Sequence, residues 1–84
     1  MTVVMNDKIL AVLSEHGRLP VSPESLAESD DLYAAGMTSH ASISVMLGLE
    51  DAFDVEFPDR MLTREVFSSI ASIRAALDEL AQAA

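Results

Sequence analysis

One serine in this sequence stands where covalent chemistry is favoured. Ser39 follows Gly36 by three residues and opens a stretch without proline, so we expect it at the N-terminus of a helix. Unpaired backbone N–H groups and the helix dipole favour negative charge at that end, which would stabilise a phosphate ester on the hydroxyl. Serine is also an ordinary N-cap residue. The pattern alone therefore leaves two alternatives open, a modified serine or a structural cap.

The neighbouring His40 suggests a catalytic serine–histidine pair, with Asp31 as the nearby acid. Consecutive helix residues point about 100° apart, which places the imidazole poorly for taking the proton of Ser39. The sequence also lacks a glycine-rich loop that could form an oxyanion hole. We therefore predict no catalytic residue and no enzyme activity.

Acidic residues gather at Asp30-Asp31 and again within the segment 50–56. Hard divalent cations prefer such oxygen ligands, but neither group has the spacing of a cation-binding loop. The chain has no cysteine, which excludes a disulfide framework and a zinc site built on sulfur. We predict a solvated acidic surface and no metal site.

The element that must position Ser39 is a helix predicted from an N-cap at Thr38 or Ser39 to about Phe53. On the helical projection, Val45, Leu49 and Phe53 fall within roughly 80° of one another. An apolar stripe of this kind is typical of a helix face that packs on a core. We therefore predict that this face is buried.

The same helix has a second apolar stripe, formed by Ile43 and Leu47. It lies about 100–160° from the centre of the first stripe. His40 lies beside it, and the carboxylates Glu50 and Asp51 flank it further along. A surface helix of a monomer needs only one stripe, so the second predicts a face that docks a partner, with acidic residues for steering. The alternative is that the preceding loop covers this stripe.

A first and a last helix complete the predicted bundle. Apolar residues at i, i+4, i+7 and i+8 predict a helix over 5–16, beginning with Met5 on the apolar face and ending at a left-handed cap on Gly17. Ser68 or Ser69 is predicted to cap the last helix, whose apolar residues follow a 3-4-3 spacing.

Between these helices we expect a long first loop and a short third helix. The loop over 18–35 contains two prolines, and its scattered apolar residues predict that it lies against the core. Asp30 or Asp31 could cap a helical turn over Leu32–Ala35 that Gly36 closes. The brief third helix is predicted around Arg60–Val66.

The composition indicates one small acidic domain. Only 84 residues are available, half of them apolar, so one modest core can form and little room remains for a deep pocket. Fourteen acidic residues against five basic ones give a formal charge of −9, which repels nucleic acid and anionic membranes and attracts basic partners. Acidity also keeps a small apolar domain soluble, which is the simpler explanation of the charge.

The N-terminus lacks the basic region of a signal peptide. The uncharged stretch that ends at Leu49 is too rich in serine and threonine to span a bilayer. We therefore expect a cytoplasmic monomer that binds neither membrane nor nucleic acid.

The segment Asp31–Ser39 resembles the attachment motif of acyl and peptidyl carrier proteins, in which a hydrophobic residue and a short spacer precede Gly-x-Asp-Ser-Leu. The resemblance continues through Leu47–Asp59, which is similar to the acidic end of the family's second helix and the Ile/Phe-Pro turn after it. It then reaches Phe67–Ile70, which is similar to the start of the last helix. Each motif is weak alone, but the ordered set covers essentially the whole chain.

The resemblance implies a single carrier domain over 1–84, folded as a four-helix bundle with a short third helix. It implies that a phosphopantetheinyl transferase uses coenzyme A and magnesium to place a 4′-phosphopantetheine arm on Ser39. Cargo would then be held as a thioester on the thiol of the arm. A cargo-loading ligase and downstream transferases would do the chemistry, and the carrier itself would catalyse nothing.

Two departures from the family pattern bear on the cargo. Thr38 stands where many relatives have Asp, and His40 stands where they have Leu. This makes a fatty-acid-synthase role less favoured, and the pattern looks more like stand-alone carriers loaded with small amino acids by ligases that resemble seryl-tRNA synthetases. The alternatives are a fatty-acyl, polyketide or nonribosomal-peptide carrier, and an unmodified acidic helical adaptor. The predicted partner-docking residues are Thr38, His40, Ile43, Leu47, Glu50 and Asp51.

Overall fold

The computed structural model describes residues 2–83, and every regular element in that range is helical. The predicted all-α class is therefore confirmed. Side chains are described from residue 6 to residue 82, so the predicted placing of Met5 on the apolar face lies outside the described part. The elements in chain order are α1 (Thr2–His16), a first 3-10 turn (Pro23–Ser25), α2 (Leu32–Ala35), α3 (Ser39–Phe53), a second 3-10 turn (Asp59–Met61) and α4 (Ile70–Ala83).

All four α-helices contribute to one core, and α1 packs against both α3 and α4. The predicted buried stripe of α3 is confirmed at Val45 and Leu49, whereas Phe53 at the end of the helix is only half-buried. Each fully buried aliphatic side chain contributes about 1.5–3 kcal/mol. The largest such side chains are Ile9, Leu13, Leu32, Val45, Leu49 and Ile73.

A glycine in α3 allows that helix to approach α1 closely. A Cβ atom added to Gly48 would lie 2.7 Å from a ring carbon of His16 and 2.9 Å from a methyl group of Val12. Both distances are shorter than ordinary van der Waals contact. The missing side chain at position 48 therefore sets how near the two helices lie.

The end of α1 differs from the prediction. The left-handed residue is Arg18, with a φ of 52°, and not Gly17. The Gly17 N–H donates to the Leu13 carbonyl oxygen at 2.8 Å, and a Cβ on Gly17 would lie 2.7 Å from the same oxygen. Glycine is needed at position 17 for this close approach, so the prediction named the right residue type for the wrong reason.

The long first loop lies partly against the core, as predicted. Leu32 is buried and Leu19 and Leu26 are half-buried, but Val21 is exposed, which the sequence did not predict. Proline residues on either side of Val21 hold the chain in a turn at the surface.

The end of this loop is joined to the beginning of α4. The Leu32 N–H donates to the Ser68 carbonyl oxygen at 2.7 Å, and the Ala71 N–H donates to the Glu28 carbonyl oxygen at 3.0 Å. The Glu28 carboxylate also pairs with the guanidinium of Arg74. These contacts fix α2, and with it the start of α3, relative to the last helix.

The cap of α2 is the predicted one. Oδ1 of Asp31 accepts hydrogen bonds from the N–H groups of Tyr33 and Ala34 at 2.9 and 3.4 Å. Gly36 ends the turn with a φ of 127°, a conformation that residues with a side chain rarely adopt. The chain can therefore reverse direction just before α3.

The brief helix that the sequence predicts over Arg60–Val66 is shorter in the structure. It is the 3-10 turn Asp59–Met61, and irregular turns follow as far as Phe67. The Thr63 hydroxyl oxygen accepts from the Val66 N–H at 3.3 Å, and such side-chain bonds compete with helix formation. The predicted cap of α4 is confirmed at Ser69, whose hydroxyl accepts from the Ser72 N–H at 3.1 Å.

Within residues 2–83, no helix has both the length and the apolar character that crossing a membrane requires.

We expect Gly36→Ala to lower the free energy of unfolding by about 1–3 kcal/mol, the usual cost of holding a residue in a rare backbone conformation. The new Cβ would also lie 2.7 Å from the Pro20 Cδ atom. Urea denaturation followed by circular dichroism measures the loss. The double variant Pro20→Ala/Gly36→Ala removes the clash but keeps the backbone strain, so it should lose less. An unchanged midpoint for Gly36→Ala would contradict the assignment.

Candidate functional site

At the start of α3, the hydroxyl of Ser39 is not used to cap the helix. Thr38 is the N-cap, and its Oγ1 accepts a hydrogen bond from the Ala41 N–H at 3.0 Å. Ser39 is the first residue of the helix and is exposed. Its carbonyl oxygen accepts from the Ser42 hydroxyl at 2.7 Å, whereas its own hydroxyl forms no hydrogen bond within residues 2–83. The sequence left open whether Thr38 or Ser39 is the N-cap, and the structure shows that it is Thr38.

The exposed serine borders an open groove of about 520 Å³, which we call the Ser39 groove. The groove lies between α2, α3 and the turns that precede α4. Most of its lining is apolar. The residues that line it are Tyr33, Ser39, Ser42, Ile43, Met46, Leu62, Thr63, Arg64 and Phe67.

A single basic side chain, that of Arg64, belongs to the lining of the Ser39 groove. Its Cζ atom lies 4.0 Å from the centroid of the Tyr33 ring, in a cation–π contact. Two of the other arginines lie away from the groove in ion pairs, Arg60 with Glu79 at 2.9 Å and Arg74 with Glu28. The groove therefore holds a positive charge in a strongly acidic chain.

This arrangement suits esterification of Ser39. The oxygen is accessible to a second protein, and the groove beside it has room for a bulky substituent. Backbone N–H groups of the first turn of α3 favour a phosphate at this position. The next residue, His40, is exposed, and no hydrogen bond within the described residues joins it to the serine.

The second stripe of α3 is open to solvent. The side chains of Ile43 and Leu47 are 56% and 55% exposed, so the long first loop does not cover them. His40 and Asp51 are also exposed. The four side chains lie at positions i, i+3, i+7 and i+11, the spacing of one helix face. The chain therefore presents an apolar pair with an imidazole at one end and a carboxylate at the other.

Two other predicted docking residues have structural roles. The Glu50 carboxylate is half-buried, and its Oε2 accepts a hydrogen bond from the Phe57 N–H at 2.9 Å. This bond fastens the segment after α3 back onto the helix. The Thr38 hydroxyl oxygen already accepts the capping hydrogen bond from the Ala41 N–H. The cap at Thr38 is one of the two predicted, whereas the role of Glu50 does not follow from helical spacing because it depends on a backbone N–H beyond the end of the helix.

Sequence reasoning did not identify the residues that complete the Ser39 groove opposite α3. Leu62, Thr63 and Arg64 come from irregular turns, where no periodicity assigns a side chain to a face. The sequence offers one weak signal, since Arg64 is one of only five basic residues in an acidic chain. In the part of the chain from 2 to 83, no group of three or more histidine, aspartate or glutamate residues could hold a metal ion.

Comparison with known proteins gives one consistent result. The family described as "phosphopantetheine attachment site" matches residues 7–77. A curated relative, the aminoacyl carrier protein of Agrobacterium fabrum, is 49% identical over 69 residues, which are 82% of this chain and 83% of that protein.

Two solved structures are also similar to this chain. One is an engineered Bradyrhizobium japonicum glycine:carrier protein ligase complexed with a carrier protein from Agrobacterium tumefaciens and AMP. The match has a TM-score of 0.86 and 46% identity and covers 88% of this chain and 99% of the matched one. The other is the Bradyrhizobium japonicum ligase complexed with glycylated carrier protein. That match has a TM-score of 0.74 and 26% identity and covers 87% and 97% of the two chains.

We expect Glu50→Ala to destabilise the fold by about 1–3 kcal/mol, because it leaves the partly buried Phe57 N–H without an acceptor. Asp51→Ala is the matched control: it removes an exposed carboxylate of the same charge and should change stability by less than about 0.5 kcal/mol. Urea denaturation of both variants measures the difference. Equal midpoints would show that the Glu50 carboxylate has no special structural role.

Proposed function

The chain belongs to the phosphopantetheine attachment family, and from this premise we propose that it is an aminoacyl carrier protein with its prosthetic group on Ser39. The observation that carries the proposal is the exposed Ser39 hydroxyl, which is free because Thr38 caps the helix. A serine that capped α3 itself would have its oxygen engaged by the backbone. Ser39 is instead available to an enzyme that modifies it.

The prosthetic group of this family is 4′-phosphopantetheine, which is attached covalently. When bound, it supplies a terminal thiol that can hold an amino acid as a thioester. The residues of this chain fit such a group: Ser39 offers the oxygen, the first turn of α3 offers backbone N–H groups, and the Ser39 groove offers space. The cysteine-free sequence contributes no competing thiol.

A phosphopantetheinyl transferase is the partner that the attachment requires, with coenzyme A as the donor. In that reaction the Ser39 oxygen bonds to the phosphorus next to the pantetheine. The hydroxyl proton is lost, and adenosine 3′,5′-bisphosphate leaves. The catalytic groups for this transfer belong to the transferase, and we assign no catalytic residue to the carrier.

Glycine or another small amino acid is the cargo that the similarities support. The curated relative is named an aminoacyl carrier protein, and the two similar structures contain a glycine:carrier protein ligase. Thr38 and His40 beside the attachment serine also depart from the pattern of fatty-acyl carriers. An amino acid:carrier protein ligase is therefore the proposed loading partner, and downstream transferases are the proposed recipients.

The second stripe of α3 is the proposed surface for these partners. Ile43 and Leu47 supply apolar anchors that the fold does not cover. Asp51 at the far end is exposed, and the net charge of −9 attracts a basic partner surface. His40 connects the stripe to the attachment serine, so a docked enzyme would meet the modified residue at the end of its contact surface.

Co-expression with a broad-specificity phosphopantetheinyl transferase should add the mass of one arm to the chain, because the Ser39 oxygen is accessible. Intact-mass spectrometry measures the increment. Ser39→Ala should remove it completely, whereas Ser42→Ala, one turn further along the same groove, should keep it. An unmodified wild-type chain, in a reaction that labels a known carrier, would exclude the proposal and favour the adaptor alternative.

We expect Leu47→Ala to raise the KM of the loading ligase for the carrier about tenfold, which corresponds to about 1.4 kcal/mol of lost contact. Stability should change by less than about 0.5 kcal/mol because the side chain is exposed. The matched control is Leu49→Ala, a buried leucine two residues further along, which should lose about 2–5 kcal/mol of stability. If Leu47→Ala leaves the ligase reaction unchanged, the second stripe is not the docking surface.

A further inference from the structure

The guanidinium of Arg64 contacts the Tyr33 ring but donates no hydrogen bond within residues 6–82. It is exposed, and it forms no ion pair within residues 2–83. Two other arginines do form such pairs, Arg60 with Glu79 and Arg74 with Glu28. Without a carboxylate partner in this part of the chain, the positive charge of Arg64 is available to another anion.

The contact with Tyr33 presents this charge in a defined way. Cζ of Arg64 lies over the Tyr33 ring, 4.0 Å from its centroid, which is within the range of a cation–π contact. A guanidinium is planar, and its five N–H donors lie around its edge. Within residues 6–82 none of these donors forms a hydrogen bond, so they are free. The tyrosine ring therefore supports the cation without using its hydrogen-bond donors.

Arg64 and Ser39 line the same groove. A phosphodiester on the Ser39 oxygen would add a negative charge to a chain whose formal charge is already −9, which is unfavourable without a local cation. Among residues 6–82, Arg64 is the only basic residue that lines the groove. Planar N–H edges match phosphate oxygens, and such charge-assisted bonds are about twice as strong as neutral ones.

We infer that Arg64, stacked on Tyr33, binds the phosphodiester that joins the prosthetic arm to Ser39. The inference rests on the proposed function, because it requires the arm. Arg64 is a positioning residue in this role: it takes no part in any bond change, and it holds the first part of the arm against the wall of the Ser39 groove. The arm then leaves the serine in a preferred direction.

The test compares purified modified forms of the wild type, Arg64→Gln and Arg60→Gln by phosphorus NMR. In the wild type the phosphodiester is bound, so Arg64→Gln should shift its resonance by more than the line width and narrow the line. Arg60→Gln removes the same charge four residues earlier, at a position outside the groove. The phosphorus resonance of this variant should therefore match that of the wild type. Arg64→Lys keeps the charge without the planar edge and should restore only part of the wild-type shift.

A second readout follows the arginine itself. The Arg64 Nε–H cross-peak of the wild type should move between the unmodified and modified forms, and Tyr33→Leu should reduce that movement because the guanidinium loses its support. Identical phosphorus spectra for wild type and Arg64→Gln, with an unmoved Nε–H peak, would overturn the inference while the mass increment upheld the proposed function. A wild-type chain that gains no mass would overturn both.

Discussion

The hydrogen bond from the Ala41 N–H to Thr38 Oγ1 is the interaction on which the site depends. It assigns the capping of α3 to one residue and so leaves the next hydroxyl, that of Ser39, at the surface. The chain before the cap is held just as firmly. Met37 is buried, its N–H donates to the Leu32 carbonyl oxygen at 3.0 Å, and Gly36 allows the sharp turn between them. An exposed hydroxyl without a hydrogen bond among the described residues thus lies on a rigid backbone.

Helix α3 contributes to two surfaces, the core and a solvent-exposed apolar stripe. Val45 and Leu49 are buried in the core, whereas Ile43 and Leu47, in the same fifteen-residue helix, face solvent. A domain of 84 residues cannot build a deep pocket as well as a core. A protein of this size can instead present a modified residue and an apolar stripe, and the enzymes that use it can supply the enclosed sites. A net charge of −9 around such a stripe attracts surfaces of positive charge.

The bounds of α2 and the start of α3 could be predicted because they depend on local signals. Asp31 and Gly36 bracket α2, and the start of α3 at Ser39 follows from the cap chemistry of short polar residues. The structural use of Glu50 could not be predicted, because its acceptor role needs the chain to fold back seven residues later. The position of Arg64 over Tyr33 depends on an irregular turn and a tertiary contact, and no spacing rule describes either.

The junction between the first loop and α4 has a consequence for synthesis of the chain. Leu32 bonds to Ser68, and Glu28 accepts from Ala71, so the surroundings of Ser39 are fastened by residues translated some thirty or more positions later. On the ribosome these bonds cannot form until the last helix has begun to emerge. The serine is therefore made early and its groove is completed late. An enzyme that recognises the finished groove would therefore meet only chains in which residues 68–71 have already left the ribosome.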